Sequence, residues 1–486
     1  MSNHGVTDRP GAGRLSGDEV LLGVDLATAN TRVVAADATG TVLATAARPL
    51  ATPSRPRAGW SEQEPTYVDV VLEALAEVVG ALPGGGRRIA GISVTATSGT
   101  IVPCTPDGTP TGAALLYDDQ RSAADLPTEV VAAAPALARV AWLVRHRPAA
   151  RYLHVSDVVV SALTGEAPVT DTSHALKTGA DPTSAMWRRE LMTAAGVDPS
   201  WLPQLVRPGT VVGGVSTGIA ARTGLVAGTP VIVGMTDGCT GQLAAGAVAP
   251  GEAASTLGTT LVLKQVAPDQ VTALDGAVYS HRAPDGSWWA GGASNVGAGV
   301  LSAVLPDVDK ARWDQIAGEH GPARVVCYPL ARPGERFPFA RPDAALFWEG
   351  KPADDVETYR ALLEGVAFTE RLGYEVLHQA GAPALTGAVR GVGGGSRSQV
   401  WLRIRASVLQ RPLTVPAEPS SGFGAAVLAA AATVHDGLAQ AVKEMVHPVQ
   451  LVGPDPAEIG PLDAAYHRFL AALRRRGYLP DSHARP

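Results

Sequence analysis

Two turns of small hydroxyl residues have the clearest chemical meaning in this sequence. The first follows Asp25 and contains Thr28 and Thr31, between two apolar strands. The second, Gly258–Thr260, also joins two apolar segments. Backbone N–H groups and threonine hydroxyls in such turns can converge on a phosphate. The two turns together predict a nucleotide bound from two sides.

Asp25 ends an apolar strand immediately before the first turn. A lone aspartate at this place can be a simple turn former that bonds the backbone two residues on. The hydroxyl residues and Arg32 that follow it favour a role with a magnesium nucleotide instead. A carboxylate holds Mg²⁺ directly or through water, because the ion keeps several waters and binds few protein oxygens.

Asp237 lies between Thr236 and Gly238, after an apolar strand and before a predicted helix. One interpretation is a helix N-cap, which is a common role for aspartate at such a junction. The other is a catalytic base in a cleft. Phosphoryl transfer to a hydroxyl needs one carboxylate that orients the hydroxyl and accepts its proton.

A glycine-rich turn, Gly393–Ser396, precedes another predicted helix. Neither GxxxxGK[ST] nor GxGxxG is present, and a glycine-rich turn alone is a weak signal that also fits a flexible helix entry. The functional alternative is close backbone approach to a base or ribose, with Trp401 covering it one helical turn later. Packing of Trp401 in the core is an equally good interpretation.

The elements that would position these residues have an α/β pattern. Strands and tight turns are predicted from Val20 to Ala47, a helix from Pro65 to Leu82 and a strand at Ile89–Val94. The second half begins the same theme again, with a buried strand at Val231–Gly234 and a small-residue helix from Cys239 to Ala247. A duplicated α/β fold is the simplest interpretation.

Composition excludes several classes of protein. A chain of 486 residues exceeds what one hydrophobic core usually fills, so two domains are expected. No apolar run reaches the roughly 18 residues of a membrane span. The net charge of −6 gives no basic surface for nucleic acid. Three widely separated cysteines form no disulfide pattern, which favours a reducing cytoplasm.

Several motifs occur together in an order that resembles the FGGY carbohydrate kinases, over about 20–473. Besides the turns at Asp25, Asp237, Gly258 and Gly393, they are Gly59–Pro65 and Leu116–Arg121. The resemblance implies two actin-like, ribonuclease-H-like domains with ATP and sugar meeting in the cleft between them. We expect a disordered leader at 1–19, a sugar-binding domain at 20–246, a nucleotide-binding domain at 247–474 and a disordered tail at 475–486.

Further segments resemble the pentulose-kinase branch, which includes D-ribulokinase-like and xylulokinase-like enzymes: Ala96–Thr100, Thr170–Lys177, Tyr279–Arg282, Gly291–Asn295 and Pro333–Pro338. The resemblance implies a role for each of the following residues. Asp237 is the catalytic base and Asp25 serves Mg-ATP and the reacting centre. The sugar is contacted by Thr97, Ser98, Asp119, Arg121 and Asp237. The nucleotide is held by Thr28, Gly258, Thr259, Asn295, Gly394, Gly395, Ser398 and Trp401.

Asp119 and Arg121 have a second interpretation, a structural ion pair that anchors their loop to the cleft wall. The chain also departs from the family pattern at three places. Ala27 replaces a usual glycine, Asp118 stands where Asn is frequent, and Ser407 where Asp is frequent. None of the three removes a principal catalytic group.

The hypothesis is ATP-dependent phosphorylation of the terminal primary hydroxyl of a ketopentose, with D-ribulose favoured over D-xylulose. Its cofactors and partners are ATP, Mg²⁺ and a small-molecule sugar, without nucleic acid or membrane, and a homodimer stays open. The alternatives are a kinase of another sugar or polyol and a catalytically weak sugar- or nucleotide-binding regulatory protein. An actin-like filament protein would need a polymerising surface that the sequence does not reveal.

Overall fold

The structure, a computed structural model, describes residues 18–122 and 126–480. The predicted leader up to residue 17 and the predicted tail from residue 481 lie outside the described residues. The first residues of the predicted tail, 475–480, are described and contact the C-terminal half. Arg475 and Arg476 both bond Glu349, and Tyr478 stacks on Phe339 with 5.5 Å between ring centroids. These contacts hold this segment on the C-terminal half.

The N-terminal half contains fourteen strands and seven helices among its described residues. The strands are β1 (Val20–Leu26), β2 (Asn30–Asp37), β3 (Val42–Pro49), β4 (Glu62–Gln63), β5 (Ile89–Ala96), β6 (Ile101–Cys104), β7 (Ala114–Leu115), β8 (Arg151–His154), β9 (Val169–Asp171), β10 (Ala180–Asp181), β11 (Met186–Trp187), β12 (Gln204–Val206), β13 (Val211–Gly214) and β14 (Pro230–Thr236). The helices are α1 (Tyr67–Ala81), α2 (Thr128–Ala133), α3 (Pro135–His146), α4 (Val155–Thr164), α5 (Arg189–Ala195), α6 (Thr217–Thr223) and α7 (Asp237–Ala245).

The C-terminal half adds nine strands and seven helices among its described residues. The strands are β15 (Ala253–Leu257), β16 (Leu261–Ala267), β17 (Tyr279–Arg282), β18 (Trp288–Ser294), β19 (Val326–Tyr328), β20 (Phe347–Glu349), β21 (Val389–Val392), β22 (Leu413–Pro416) and β23 (Pro448–Val452). The helices are α8 (Gly299–Val304), α9 (Lys310–His320), α10 (Asp355–Gln379), α11 (Gln399–Leu409), α12 (Ser421–Thr433), α13 (Gly437–Met445) and α14 (Pro456–Arg475).

The main sheets of the two halves have the same central plan. In the first, with order β13-β14-β5-β1-β2-β3, the antiparallel strands β3, β2 and β1 are followed by β5 and β14, which run parallel to β1. In the second, with order β17-β18-β16-β15-β21-β22-β23, the antiparallel strands β18, β16 and β15 are followed by β21 and β22, parallel to β15. This repeated plan is what a duplicated α/β fold predicts.

One helix of the C-terminal half, α12, packs against β1 and β5 of the first sheet and against α7. Two glycines allow this close approach. A Cβ added at Gly23 would lie 1.8 Å from the carbonyl oxygen of Gly422, and one added at Gly424 would lie 1.8 Å from that of Thr240. The halves are therefore interlocked beside the cleft.

In the described residues no helix is both long and apolar enough to cross a membrane. The cysteines at 104, 239 and 327 are buried free thiols.

Candidate active site

Three strands of the first sheet end side by side and bring the predicted acidic residues together. Asp25 on β1 pairs with Thr95 on β5, and Thr236 at the end of β14 pairs with Ala96. Asp25, Thr97 and Asp237 therefore share one edge of the sheet, because the carboxyl ends of parallel strands meet there.

Asp237 begins α7 with its carboxylate half-buried and hydrogen-bonded from two sides. Its Oδ2 accepts a bond from the Thr97 hydroxyl at 3.1 Å, and its Oδ1 accepts one from the backbone N–H of Gly238 at 2.6 Å. Thr236, rather than Asp237, holds the N-cap position. The Thr97 hydroxyl joins the carboxylate to the loop that follows β5, an arrangement that the N-cap interpretation does not explain.

Asp25 has a different environment. Its Oδ1 is buried without a hydrogen-bond partner among the described residues, so the turn-former interpretation does not account for that atom. Burial and, to a smaller extent, the charge of Asp237 raise the pKa of Asp25 to about 7, although Arg32 acts in the opposite direction. An unpaired carboxylate oxygen is a suitable ligand for Mg²⁺, which takes one or two protein carboxylates and keeps its waters.

His174 holds the loop that carries Thr97 and Ser98 in place. Thr97 N–H donates to the carbonyl of Leu26 at 3.1 Å. The Nε2 of His174 lies 3.0 Å from the carbonyl oxygen of Ala96, and its Nδ1 bonds Asp171. Burial alone would lower the pKa of His174, but the Asp171 carboxylate outweighs it and raises the pKa to about 8.

His174 was not among the predicted site residues. The signal available in the sequence was the spacing Asp171–Ser173–His174, which lets one carboxylate cap the following turn. In the structure Asp171 Oδ1 accepts from the backbone N–H groups of Ser173 and His174, at 2.8 and 2.9 Å. Such a pattern is too common in turns to single out a site.

The structure favours the second interpretation of Asp119 and Arg121, a structural ion pair. Their side chains are 0% and 1% exposed and form an ion pair at 2.7 Å. Arg121 also bonds Glu62, and its guanidinium lies 3.7 Å from the centroid of the Trp60 ring. With these partners the pair has no free face toward a ligand, so it fits the alternative of a structural anchor.

At two of the three departures from the family pattern, the side chain forms hydrogen bonds with residues close to it. Asp118 accepts a hydrogen bond from Arg55 at 2.8 Å, which compensates the added charge. The Ser407 hydroxyl donates to the carbonyl of Arg403 and accepts from the N–H of Asp455, both at 2.9 Å. Ala27 is half-buried in the first turn.

The two hydroxyl turns are held in different ways. The Thr28 carbonyl accepts a bond from the Gln63 amide at 2.7 Å. In the second turn, between β15 and β16, the carbonyls of Gly258 and Thr259 accept bonds from Ala298 and Gly299 at 2.9 and 3.1 Å. Thr259 is exposed and Gly258 half-buried.

The glycine-rich turn packs directly against this hairpin. Gly393 has a φ of +86°, and a Cβ there would lie 2.6 Å from the carbonyl oxygen of Leu257. A Cβ at Gly395 would lie 2.4 Å from the Leu257 side chain. Gly394 is exposed with open space beside it, so the turn offers bare backbone next to Gly258.

Three of the residues predicted to contact the nucleotide have hydrogen-bonding partners within the protein. Trp401 is 3% exposed in the core of the C-terminal half, and its indole N–H donates to the carbonyl of Leu363 at 3.0 Å. The Ser398 hydroxyl caps α11 by accepting from the N–H of Trp401. The side-chain amide of Asn295 donates to the carbonyl of Gly334 at 2.9 Å. For Trp401 the burial favours core packing, the second of the two interpretations given above.

A cavity of about 320 Å³ joins the two halves beside Asp237. Asp237 and Ser421 line it from the side of the first sheet, and Thr256, Lys264 and Gly393 from the second. Lys264 was missed by the sequence analysis. Its signal was a lysine within the strand Leu261–Ala267, which is apolar at most positions.

Comparisons with known proteins agree with this arrangement. The family model for the N-terminal domain of the FGGY carbohydrate kinases matches residues 20–128 and 126–244, and the model for their C-terminal domain matches 253–433. A gluconokinase of Bacillus subtilis is 25% identical, over 88% of this chain and 90% of its own length. A xylulose kinase of the same organism is 25% identical, over 84% and 87%.

Among solved structures, a xylulose kinase from Rhodospirillum rubrum is 28% identical with a TM-score of 0.82, covering 94% of this chain and 99% of its own. The expected fold of two actin-like, ribonuclease-H-like domains is thereby confirmed. With both family models matched in order along most of its length, the chain belongs to the FGGY family of carbohydrate kinases, and it is a sugar kinase.

Proposed function

We propose that this kinase transfers the terminal phosphoryl group of ATP to the terminal primary hydroxyl of a ketopentose, with D-ribulose preferred and D-xylulose second. The observation that carries the proposal is the carboxylate of Asp237. It is half-buried at a cavity between the halves and is oriented by the Thr97 hydroxyl at 3.1 Å.

In the proposed reaction Asp237 receives the proton of the sugar hydroxyl as that oxygen attacks the terminal phosphorus. Thr97 keeps the accepting oxygen in place, and Ser98 contacts a sugar hydroxyl from the same loop. Closure of the two domains around the substrates would exclude water, which would otherwise take the phosphoryl group.

Asp25 is proposed to hold the Mg²⁺ of Mg-ATP through its unpartnered Oδ1. The ion would neutralise charge on the phosphates during transfer. Thr28, Gly258 and Thr259 are proposed to bind the phosphates, and Gly394 and Gly395 the ribose or base. Ser398 and Asn295 would contribute by shaping the turns that carry these groups.

We base the proposed preference for D-ribulose on the resemblance of several segments to D-ribulokinase-like enzymes. Two of these segments are Tyr279–Arg282 and Gly291–Asn295. Pentulose epimers differ only in hydroxyl stereochemistry, so a few hydrogen bonds decide between them. The related gluconokinase makes gluconate a further candidate substrate.

A coupled assay of ADP release tests the proposal across D-ribulose, D-xylulose, other ketoses, polyols and gluconate, with mass spectrometry of the product. We expect the highest kcat/KM with D-ribulose and a phosphopentulose product. Higher efficiency with gluconate or a polyol would reject the substrate assignment. Sugar binding without any phosphorylated product would favour the regulatory alternative.

A further inference from the structure

Lys264 is a buried cation without a counter-charge. It lies on β16 with 6% exposure. The described residues place no carboxylate within 4.0 Å of its ammonium and give it no hydrogen bond. The ammonium lies 5.8 Å from the centroid of the Tyr279 ring. The side chain lines the cavity beside Asp237, so its ammonium faces a space in which an anionic ligand can supply the missing partner.

The other buried cations among the described residues have hydrogen-bond acceptors. Arg360 bonds Glu364 at 2.6 Å, and Arg405 bonds Glu370 at 2.7 Å. Arg139 donates to backbone carbonyls, including that of Gly99 at 3.2 Å. Each of these arginines has an acceptor, whereas Lys264 has none in the part of the chain that the structure describes.

The surroundings of Lys264 direct its side chain across the domain interface. Gly291 on the neighbouring strand β18 pairs with it, and a Cβ at Gly291 would lie 3.1 Å from Cγ of Lys264. The missing side chain leaves room for the lysine stem. At its other end, a Cβ at Gly238 would lie 3.6 Å from Cε of Lys264, so the stem reaches the residue after Asp237.

A histidine near Lys264 adds no compensating negative charge. His281 lies 3.3 Å from the Ser173 hydroxyl of the other half. Burial lowers the pKa of His281 well below its ordinary value, and the charges of Lys264, Lys177 and His174 lower it further. The lysine charge is therefore not neutralised by this neighbour.

We propose that Lys264 binds a non-bridging oxygen of the phosphoryl group that passes from ATP to the sugar. The inference rests on the proposed function. Lys264 shares its cavity with Asp237 on one side and with Thr256 and Gly393 on the other. The C-terminal half therefore places Lys264 beside the proposed path of the phosphoryl group from ATP to the sugar hydroxyl.

In this step the sugar oxygen forms a bond to the terminal phosphorus, and the bond from that phosphorus to the bridging oxygen breaks. ADP leaves with the electron pair, and Asp237 takes the hydroxyl proton. Lys264 stays protonated throughout and stabilises the charge on the transferred group, as positioned cations do in phosphoryl transfer.

The test compares the wild type with Lys264→Met, Lys264→Arg and, as a surface control, Lys351→Met, all confirmed as folded by thermal unfolding. We expect kcat to fall about 10²- to 10³-fold in Lys264→Met. Lys264→Arg should stay within about tenfold of the wild type, since it keeps the charge. Lys264→Gln replaces the methionine variant if the latter does not fold. Lys351 is exposed, so its variant should match the wild type.

An unchanged kcat in folded Lys264→Met would overturn the inference, as would a loss confined to the KM for sugar. A second measurement tests the phosphate contact of Lys264 independently of the proposed function. Sodium tripolyphosphate should raise the unfolding temperature of the wild type more than that of Lys264→Met. This difference would support the phosphate contact even if no sugar were phosphorylated, and equal protection would count against it.

Discussion

Asp25 and Asp237 lie at the same edge of the first sheet but have different surroundings. Asp237 receives two hydrogen bonds, whereas Asp25 has a buried oxygen with no partner among the described residues and a pKa of about 7. Two acidic groups in unlike environments can take two different roles. The difference supports Asp237 as the proton acceptor and Asp25 as the group that meets a cation.

The hydroxyl of Thr97 is expected to matter through Asp237. Thr97→Val removes the 3.1 Å bond, whose net contribution is about 1 kcal/mol. This corresponds to a decrease in kcat of somewhat less than tenfold. Kinetics of ADP release should show that decrease with KM for ATP unchanged, and Thr97→Ser should restore most of the rate. An equal rate in Thr97→Val would exclude the positioning role.

His174 should make stability depend on pH. Its pKa in the folded protein is raised to about 8 from 6.5. The imidazolium therefore stabilises the fold fully below about pH 6.5, and this contribution is lost as pH rises through about 8. One pKa unit is about 1.4 kcal/mol, so the loss is about 2 kcal/mol.

Urea unfolding of the wild type and of His174→Gln measures this effect. The difference in unfolding free energy between the two proteins should be larger at pH 6 than at pH 9. A difference that is constant over this range would contradict an ion pair with Asp171.

At the scale of single elements, the turn before α11 depends on one glycine more than on its neighbour. Gly393 has a left-handed φ and no room for a Cβ, whereas Gly394 has open space beside it. Both positions look equivalent in the sequence, since each is one of three consecutive glycines.

Gly393→Ala is expected to lower the unfolding free energy by about 1–3 kcal/mol, because the substitution strains the backbone. It should also raise the KM for ATP, since the turn and the Gly258 hairpin are in contact. Gly394→Ala is the matched control for stability and should unfold close to the wild type. Equal stability of the two variants would show that the close approach at Leu257 is not important.

Local elements could be predicted because their signals are local. The helix expected from Pro65 to Leu82 is observed as α1 (Tyr67–Ala81), with its helically spaced apolar residues buried. The turns at Asp25 and Gly258 lie between the expected strands. The burial of Trp401 and Arg121 could not be predicted, since an aromatic or a charged residue after a turn fits either a core or a site.

At the scale of the whole molecule, the halves share a core. A hydrophobic cluster combines Leu21 and Met235 of the first sheet with Phe423 and Val427 of α12. The sequence predicts a domain boundary near residue 246. It contains no local signal that α12, which follows this boundary, packs against the first sheet. Pairing of distant segments depends on complementary shape rather than on periodicity.

A fragment of residues 18–246 is therefore expected not to fold independently, because it would expose the surface that α12 covers. Thermal unfolding followed by circular dichroism should show no cooperative transition, and the fragment should bind the dye ANS. A sharp transition like that of the full chain would mean that the N-terminal half is autonomous.

Assignment of Asp237 as the base is tested most directly by turnover of Asp237→Asn beside the wild type, with ATP and the best sugar of the panel. The amide cannot accept the proton but keeps the size of the side chain, so kcat should fall about 10²- to 10⁴-fold. The affinity for ATP, measured by calorimetry, should change little. A folded Asp237→Asn protein that turns over at the wild-type rate would contradict the assignment.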